Sequence, residues 1–169
     1  HTREMHLGEI LELHPMGKEY GWILSGCKKY PILIDAAGCV LSFPPIINSH
    51  ALGKIEEGDT DLFVELTGTD AAAIDLLTNI LACVFADRGW DVRSVSITSG
   101  SRSGSHAHQT PTLATHTAKL DLDHINRITG LGLPRSEVVQ CLQRMRYGVK
   151  GGMVVVPCYR GDVMHPVDI

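Results

Sequence analysis

Two consecutive prolines, Pro44 and Pro45, restrict the structure of the stretch LSFPPIINS (41–49) more than any other feature of the sequence. Neither proline has a backbone N–H group, so neither can lie inside a hydrogen-bonded central strand. Ile46 and Ile47 follow directly and are too apolar for an ordinary exposed loop. The stretch is therefore predicted to be a stiff, buried, irregular segment. Such segments often line pockets, although a kink in a core is the more common cause.

The length, composition and net charge are those of a globular chain without an overall basic character. Its 169 residues suffice for one domain or two small ones, and an apolar share of 44% allows a buried core. The net charge of −4 means that any contact with nucleic acid must be local or depend on shape. The five cysteines show no Cys-x-x-Cys spacing, which favours a reducing, cytoplasmic compartment. No run approaches the length of a membrane span. From its first and last residues we expect an excised piece of a longer protein.

Residues 1–98 are predicted to form one layered α+β domain. Two short helices broken around Pro15 come first, and a hairpin with its turn at 35–38 follows. Residues 61–68, DLFVELTG, alternate apolar and polar side chains, which predicts a strand. A helix that ends at Gly89 and a further strand complete the predicted domain.

The sharpest shift in composition begins after residue 98, where Ser, Thr, Gly and His replace any apolar periodicity. We predict a flexible connection over 99–116 and place the domain boundary there. Residues 117–169 predict a short strand, two short helices joined by a glycine-containing turn, and further strands. This order is typical of a small winged-helix-like domain.

Glu65 and Thr67 are the candidate site residues that the residue pattern itself suggests. In the predicted strand both lie on one face, because side chains alternate with a period of two. In one interpretation the two side chains form the polar face of an edge strand, and the pattern alone favours this interpretation. The other is a carboxylate and a hydroxyl that point into a pocket walled by Pro44 and Pro45. Sequence spacing does not decide between them.

Two other polar motifs give weaker signals. His106 and His108 have no acidic or cysteine neighbour in the sequence, so a solvated loop explains them better than a metal site. Asp162 and Asp168 lie six residues apart around a proline turn and could share a hard cation such as Mg²⁺. A solvated Asp162 and a helix-capping Asp168 explain the same pattern equally well. The sequence contains no nucleophile elbow, HExxH motif or phosphate loop.

Three separate stretches, in the same order and with similar spacing, resemble the β subunit of phenylalanyl-tRNA synthetase of the archaeal and eukaryotic type. They are PILIDAAGCVLSFPPIINS, DLFVELTGTD and MRYGVKGGMVVVPCYRGDVMHPVDI. The resemblance implies an internal fragment with part of the B3/4 editing domain (1–98) and a truncated B5 domain (117–169). It also implies hydrolysis of tyrosine wrongly esterified to phenylalanine tRNA.

The resemblance also implies roles for individual residues of the editing pocket. Its expected positions are Leu33, Ser42, Glu65 and Thr67, with Pro44 in the wall, and Glu65 stands where the archaeal pattern has Asp. Glu65 is expected to accept a hydrogen bond from the tyrosine hydroxyl. Ser42 and Thr67 are expected to orient the ester or its attacking water, as catalytic residues. Such a second site is needed because an apolar pocket rejects an added hydroxyl poorly.

The resemblance implies partners and cofactors for the whole enzyme. Asp162 and Asp168 match the first two positions of a Mg²⁺ site whose other acidic ligands would follow them. ATP is expected to be used by the full enzyme but not bound by this fragment. The expected partners are phenylalanine tRNA and an α subunit, in an assembly of two α and two β chains. The alternative is a non-catalytic module that binds RNA or a subunit. Five cations support it: Arg127, Arg135, Arg144, Arg146 and Lys150.

Overall fold

The computed structural model describes residues 3–101 and 104–169. The chain divides into two compact units, 1–67 and 68–169. The prediction of a mixed helix and sheet fold is confirmed. The division falls between Thr67 and Gly68, whereas the composition of the sequence placed the boundary after residue 98.

The first unit begins with two short helices that meet at a proline. Helix α1 spans Leu7–Leu13, helix α2 spans Pro15–Tyr20, and a 3₁₀ turn, Gly21–Leu24, follows. Pro15 occupies the first position of α2, where its missing N–H group costs no hydrogen bond. Gly17 is required for the close approach of the two helices, because a Cβ atom there would lie 1.9 Å from the carbonyl oxygen of Ile10.

A small antiparallel sheet completes the regular structure of the first unit. Its strands are β1 (Leu33–Ile34), β2 (Val40–Phe43) and β3 (Ile47–Asn48), in the order β1-β2-β3. The predicted hairpin between β1 and β2 is confirmed, and Asp35 closes its turn by accepting hydrogen bonds from the N–H groups of Ala37 and Cys39.

Pro44 and Pro45 form the tight turn between β2 and β3, closed by a 2.7 Å hydrogen bond from the Ile46 N–H group to the Phe43 carbonyl. Phe43 and Ile46 are buried, and with Leu24 they form the core of the unit. Pro45 is exposed. The predicted stiff segment is therefore anchored in the core at its two ends and reaches the surface between them.

The strand predicted at 61–68 is wrong. Residues 61–67 have no regular secondary structure. Leu62 and Leu66 are half-buried, as the alternation predicted, but Val64 is 47% exposed and Phe63 is 62% exposed. Alternating side chains give an extended segment one apolar face, but a strand also needs a neighbouring backbone to bond with.

The second unit begins with a long helix and a β-hairpin. Helix α3 spans Ala71–Asp87; Asp70 caps it by accepting hydrogen bonds from two backbone N–H groups, and the chain leaves through Gly89 at φ 88°. Strands β4 (Val95–Ser101) and β5 (Gly104–Thr110) then pair antiparallel.

This hairpin corrects the connection without regular structure that the sequence predicted over 99–116. Residues 102 and 103 of that range lie outside the described residues. The described side chains of this ribbon are mostly exposed, so low apolar content did not exclude strands.

The remainder of the second unit packs two helices against a three-stranded sheet. Strand β6 (His116–Lys119), helices α4 (Leu122–Thr129) and α5 (Arg135–Arg144), and strands β7 (Gly148–Lys150) and β8 (Met153–Val156) follow in order. The sheet order is β6-β8-β7, all antiparallel. The core contains Leu120, Val138, Leu142, Tyr147, Val154 and Val156. A 3₁₀ turn, Pro166–Asp168, comes last.

The winged-helix description of this part remains a prediction. Within the described residues, none of the helices has both the length and the apolar character that crossing a membrane requires.

Candidate functional site

A cleft of about 650 Å³ opens in the first unit beside the proline turn. The residues that line it come from α2, from the segment between the end of β2 and residue 54, and from the irregular segment 61–67. They are Met16, Phe43, Pro44, Pro45, Ile46, Ile47, Asn48, Ser49, His50, Gly53, Lys54, Glu65 and Thr67. Side chains of Met, Phe, Pro and Ile give most of the wall an apolar character, and one carboxylate belongs to the lining.

Glu65 is the centre of the polar part of this site. Its Oε1 atom accepts a hydrogen bond from the Thr67 hydroxyl, and its Oε2 atom lies 3.4 Å from the Ser42 hydroxyl. Ser42 is only 5% exposed, whereas Glu65 and Thr67 are exposed. Two hydroxyls therefore orient the carboxylate, one from a buried residue and one from an exposed residue.

The structure brings together four of the five residues that the sequence assigned to the pocket. Pro44, Glu65 and Thr67 line the cleft, and Ser42 reaches it through its contact with Glu65. Leu33 lies opposite Ser42 in the register of β1 and β2 and is half-buried, but it is not part of the cleft lining. Glu65 is exposed, since no strand pairs with segment 61–67.

The sequence did not point to the contribution of the segment 49–54. The Ser49 hydroxyl accepts hydrogen bonds from the N–H groups of Leu52 and Gly53, at 3.1 and 3.2 Å, and so holds a tight turn. A Cβ atom on Gly53 would lie 2.6 Å from the Asn48 Cβ atom, so only glycine fits there. The turn presents His50 to the cleft. A serine followed four residues later by glycine was the available signal.

The two histidines of the predicted solvated loop need one correction. His108 lies on β5, and its Nε2 atom is 3.0 Å from the Asp75 Oδ1 atom on α3. The acidic neighbour that was missing in the sequence is thus supplied by the fold. The side chain of His106 lies outside the described residues.

Asp162 and Asp168 each have other partners in the second unit. Both Asp162 oxygens accept hydrogen bonds from the Arg160 guanidinium at 2.7 Å, and this pairing lowers the pKa of Asp162. Arg160 also lies over the ring of Tyr147, 4.9 Å from its centroid. One oxygen of Asp168 accepts from the N–H groups of Met164 and His165.

Comparisons with known proteins cover nearly the whole chain. A family model described as "tRNA synthetase B5 domain" matches residues 118–169. A phenylalanine–tRNA ligase β subunit from Archaeoglobus fulgidus is 40% identical over 171 residues, which is 99% of this chain and 30% of that protein. The β subunit from Thermococcus sibiricus is 36% identical over the same shares.

One solved structure agrees with these sequence relatives. It is the crystal structure of an N-terminal fragment of the phenylalanyl-tRNA synthetase β subunit from Pyrococcus horikoshii. It matches with a TM-score of 0.83 and 32% identity, over 99% of this chain and 48% of that chain. This chain is similar over nearly its whole length to a segment of phenylalanyl-tRNA synthetase β subunits, and its residues 118–169 match the B5 domain model. It spans about 30% of the length of these curated relatives.

The B5 domain contains the two aspartates that the resemblance linked to Mg²⁺. A hard cation needs several oxygen ligands with free lone pairs. Asp162 is occupied by Arg160, and no group of three or more His, Cys, Asp or Glu residues that could hold a metal occurs in the described part of the chain. The Mg²⁺ role of Asp162 and Asp168 stays a prediction, and we assign no step to the metal.

Proposed function

We propose that the chain is part of a phenylalanine–tRNA ligase and that its cleft hydrolyses tyrosine wrongly esterified to phenylalanine tRNA. The observation that carries the proposal is a cleft with apolar walls and one carboxylate, Glu65, which two hydroxyls hold in place. The relatives that match the chain are named as β subunits of this ligase.

A carboxylate in an apolar cleft is suited to select tyrosine over phenylalanine. The two amino acids differ by one hydroxyl, which an apolar synthetic site rejects poorly. A site that hydrogen-bonds this hydroxyl discriminates well, because phenylalanine would cover the polar group and leave it unpaired. In this cleft, Glu65 accepts the phenolic hydrogen bond, and the Pro44 turn with Phe43 provides the apolar surface for the ring.

Glu65 has the capacity to accept another donor. An ionised carboxylate offers about four lone-pair sites, and the contacts with Ser42 and Thr67 use two of them. Because Glu65 is exposed, the selectivity depends on the bound ring excluding water from the carboxylate. Discrimination therefore arises when the substrate binds and covers the charge.

The two hydroxyl residues take different parts in this proposal. Ser42 is buried behind Glu65 and positions its carboxylate. Thr67 lies at the exposed side of the cleft and orients the ester or the attacking water. The ester of an aminoacyl-tRNA is activated, so a well-placed water suffices and no cysteine or histidine nucleophile is needed.

Deacylation of two charged tRNAs tests the proposed function. Phenylalanine tRNA charged with tyrosine and the same tRNA charged with phenylalanine are incubated with the assembled ligase and with this chain alone. We expect the assembled ligase to release tyrosine at least ten times faster than phenylalanine. Equal rates of release by the assembled ligase would exclude an editing role for the cleft.

The remaining features of the whole enzyme are those that the resemblance implies, and they belong to the same proposal. We expect an α subunit as partner in an assembly of two α and two β chains, phenylalanine tRNA as substrate, use of ATP by the assembled enzyme, and a place in the cytoplasm. Separation of the native enzyme by size, with subunit masses, would test the stoichiometry.

A second role, binding of tRNA or a subunit by the second unit, is favoured by its exposed cations. Arg127, Arg135, Arg144, Arg146 and Lys150 are all exposed. Lysine and arginine side chains supply the phosphate contacts that make nucleic-acid binding depend on salt. If this role is correct, tRNA binding weakens steeply with salt and weakens further when Arg135 and Arg144 are replaced by Gln, while the preference for tyrosine is retained.

A further inference from the structure

Two cysteines that are far apart in the sequence meet in the second unit. Cys83 lies on α3 and Cys158 follows β8 by two residues. Their Sγ atoms are 3.9 Å apart, with one thiol donating to the other, although 75 positions separate them in the chain. Both are half-buried, whereas Cys27, Cys39 and Cys141 are exposed. The fold thus brings these two of the five cysteines together.

A second contact fixes the same two segments against each other. A Cβ atom on Gly161 would lie 2.2 Å from the Cδ2 atom of Leu76, so the chain after β8 runs directly along α3. Leu76 and Cys83 are seven residues apart on the helix, which places them on the same face two turns apart. Because contacts at both points hold the segments together, the two sulfurs stay close.

We propose that Cys83 and Cys158 are a modification site, which an oxidant of the peroxide class converts to a disulfide. One thiolate attacks a peroxide oxygen and breaks the O–O bond, giving a sulfenic acid and hydroxide, and the hydroxide takes up the proton that the thiol had released to become water. The other thiol then attacks that sulfur, forms the S–S bond and releases a second water, so that two thiols and one hydrogen peroxide give one disulfide and two waters. A disulfide has an S–S distance of about 2.05 Å, so the sulfurs must approach by roughly 2 Å, which side-chain rotation can supply.

The environment of Cys83 protects it from direct oxidation. Burial raises the pKa of the Cys83 thiol, and the neighbouring Cys158 and the charge of Asp87 act in the same direction. A thiol that keeps its proton reacts slowly with peroxide. Cys83 is therefore less reactive as the first nucleophile than an unperturbed cysteine.

The disulfide would join α3 to the B5 domain. Residues 118–169 match the B5 family model, and α3 lies outside that range. A covalent link between sequence positions so far apart restricts the unfolded chain and stabilises the folded unit. This inference is independent of the proposed editing function, since neither cysteine belongs to the cleft.

The test uses a variant that keeps only the pair, with Cys27, Cys39 and Cys141 all replaced by Ser. The purified chain is treated with hydrogen peroxide, alkylated without reduction, digested and analysed by mass spectrometry. We expect a peptide that links Cys83 to Cys158 and disappears with dithiothreitol. We also expect a Tm roughly 5–15 °C above that of the reduced protein. In the same background, Cys158→Ser should lose the linked peptide and the rise in Tm.

The linked peptide is measured in the variant that keeps both Cys83 and Cys158. The conclusion therefore does not depend on whether Cys158→Ser folds. Alkylation of both cysteines after oxidation would overturn the proposal. So would separate oxidation of each sulfur to a sulfinic acid, or disulfides only between two copies of the chain. Treatment of the wild-type chain, in which all five cysteines compete, should give the same linked peptide as the main product.

Discussion

At the scale of single residues, the neighbours of a carboxylate decide what it does. Glu65 receives hydroxyl donors and belongs to an apolar cleft, so it keeps acceptor capacity for a ligand. Asp162 faces a guanidinium that takes both of its oxygens, so it forms a structural ion pair. The sequence offers both as candidate site residues. Only the partners in space separate the candidate site residue from the structural one.

The substitution Glu65→Gln should remove most of the preference for tyrosine. Gln keeps the size and one acceptor oxygen but loses the charge, so the ratio of tyrosine to phenylalanine release should fall by roughly tenfold or more. The melting temperature should barely change, since Glu65 is exposed. Deacylation by the assembled ligase and thermal melting of the chain provide the measurements.

The control for that substitution is Glu12→Gln, an exposed glutamate on α1 outside the cleft. It should leave the preference for tyrosine unchanged. An intact preference in Glu65→Gln together with a lowered melting temperature would show that Glu65 is a structural residue.

The ion pair of Asp162 should contribute to the loss of stability in acid. The Arg160 guanidinium lowers the pKa of Asp162 in the folded state, so the folded protein binds fewer protons than the unfolded chain. This stabilisation is present above the ordinary pKa of about 3.9 and is lost as the pH falls towards the lower folded value. In Asp162→Asn, the Tm should be lower at pH 7 and should decrease less between about pH 4 and pH 2.

Asp123→Asn is the matched comparison for the acid measurement, because Asp123 is an exposed carboxylate in the same unit. Its curve of Tm against pH should follow that of the wild type more closely than the curve of Asp162→Asn. If the Tm of the wild type and that of Asp162→Asn decrease equally as the pH falls, the role assigned to the ion pair is refuted.

At the scale of elements, packing depends on where the chain allows two backbones to approach. Helices α1 and α2 touch through Gly17, which has no side chain to separate them. The shape of the cleft has similar causes. The two prolines restrict the backbone of the Pro44–Pro45 turn, and the lack of space for a Cβ atom at Gly53 restricts that of the second turn. Local backbone chemistry therefore shapes the wall of the site more than the small sheet does.

The pair Gly17→Ala and Gly8→Ala should have opposite effects on stability. A Cβ atom at Gly17 would overlap the Ile10 carbonyl, and backbone cannot move aside cheaply, so we expect a loss of about 1–3 kcal/mol. Gly8 lies in α1 with open space around its Cβ position, so alanine there should stabilise by up to about 1 kcal/mol. Urea unfolding measures both, and equal effects would contradict the packing argument.

At the scale of the whole molecule, the chain consists of two units that each have their own buried core. The core of the first unit is centred on Phe43 and Ile46, and that of the second on Val154 and Val156. The cleft lies entirely within the first unit, and the B5 domain lies entirely within the second. The candidate selection site and the B5 domain are therefore carried by different units of one chain.

The chain alone should not activate phenylalanine. Its sequence contains no phosphate-loop motif, and the resemblance implies that ATP is used by the full enzyme but not bound by this fragment. Phenylalanine-dependent exchange of pyrophosphate into ATP should therefore be at background with the chain and clear with the assembled ligase. Exchange by the pure chain would contradict the assignment of phenylalanine activation to the assembled ligase alone.

The sequence by itself determined the features that depend on neighbouring residues. The helix break at Pro15, the hairpin turn at Asp35 and the end of α3 at Gly89 were all predictable, because proline, aspartate and glycine restrict the backbone locally. The residue pattern suggested Glu65 and Thr67 as candidate site residues, and the family resemblance added Ser42; their grouping in space stayed a prediction at that stage.

Only the tertiary structure decided which segments become neighbours. It left 61–67 without a strand partner, and it brought Ser42 to Glu65, Asp75 to His108 and Cys83 to Cys158. Each outcome depends on which backbone or side chain supplies the partner for a hydrogen bond, an ion pair or a packed surface. Partners distant in sequence leave no periodic pattern at either position, so no reading of local sequence could have assigned them.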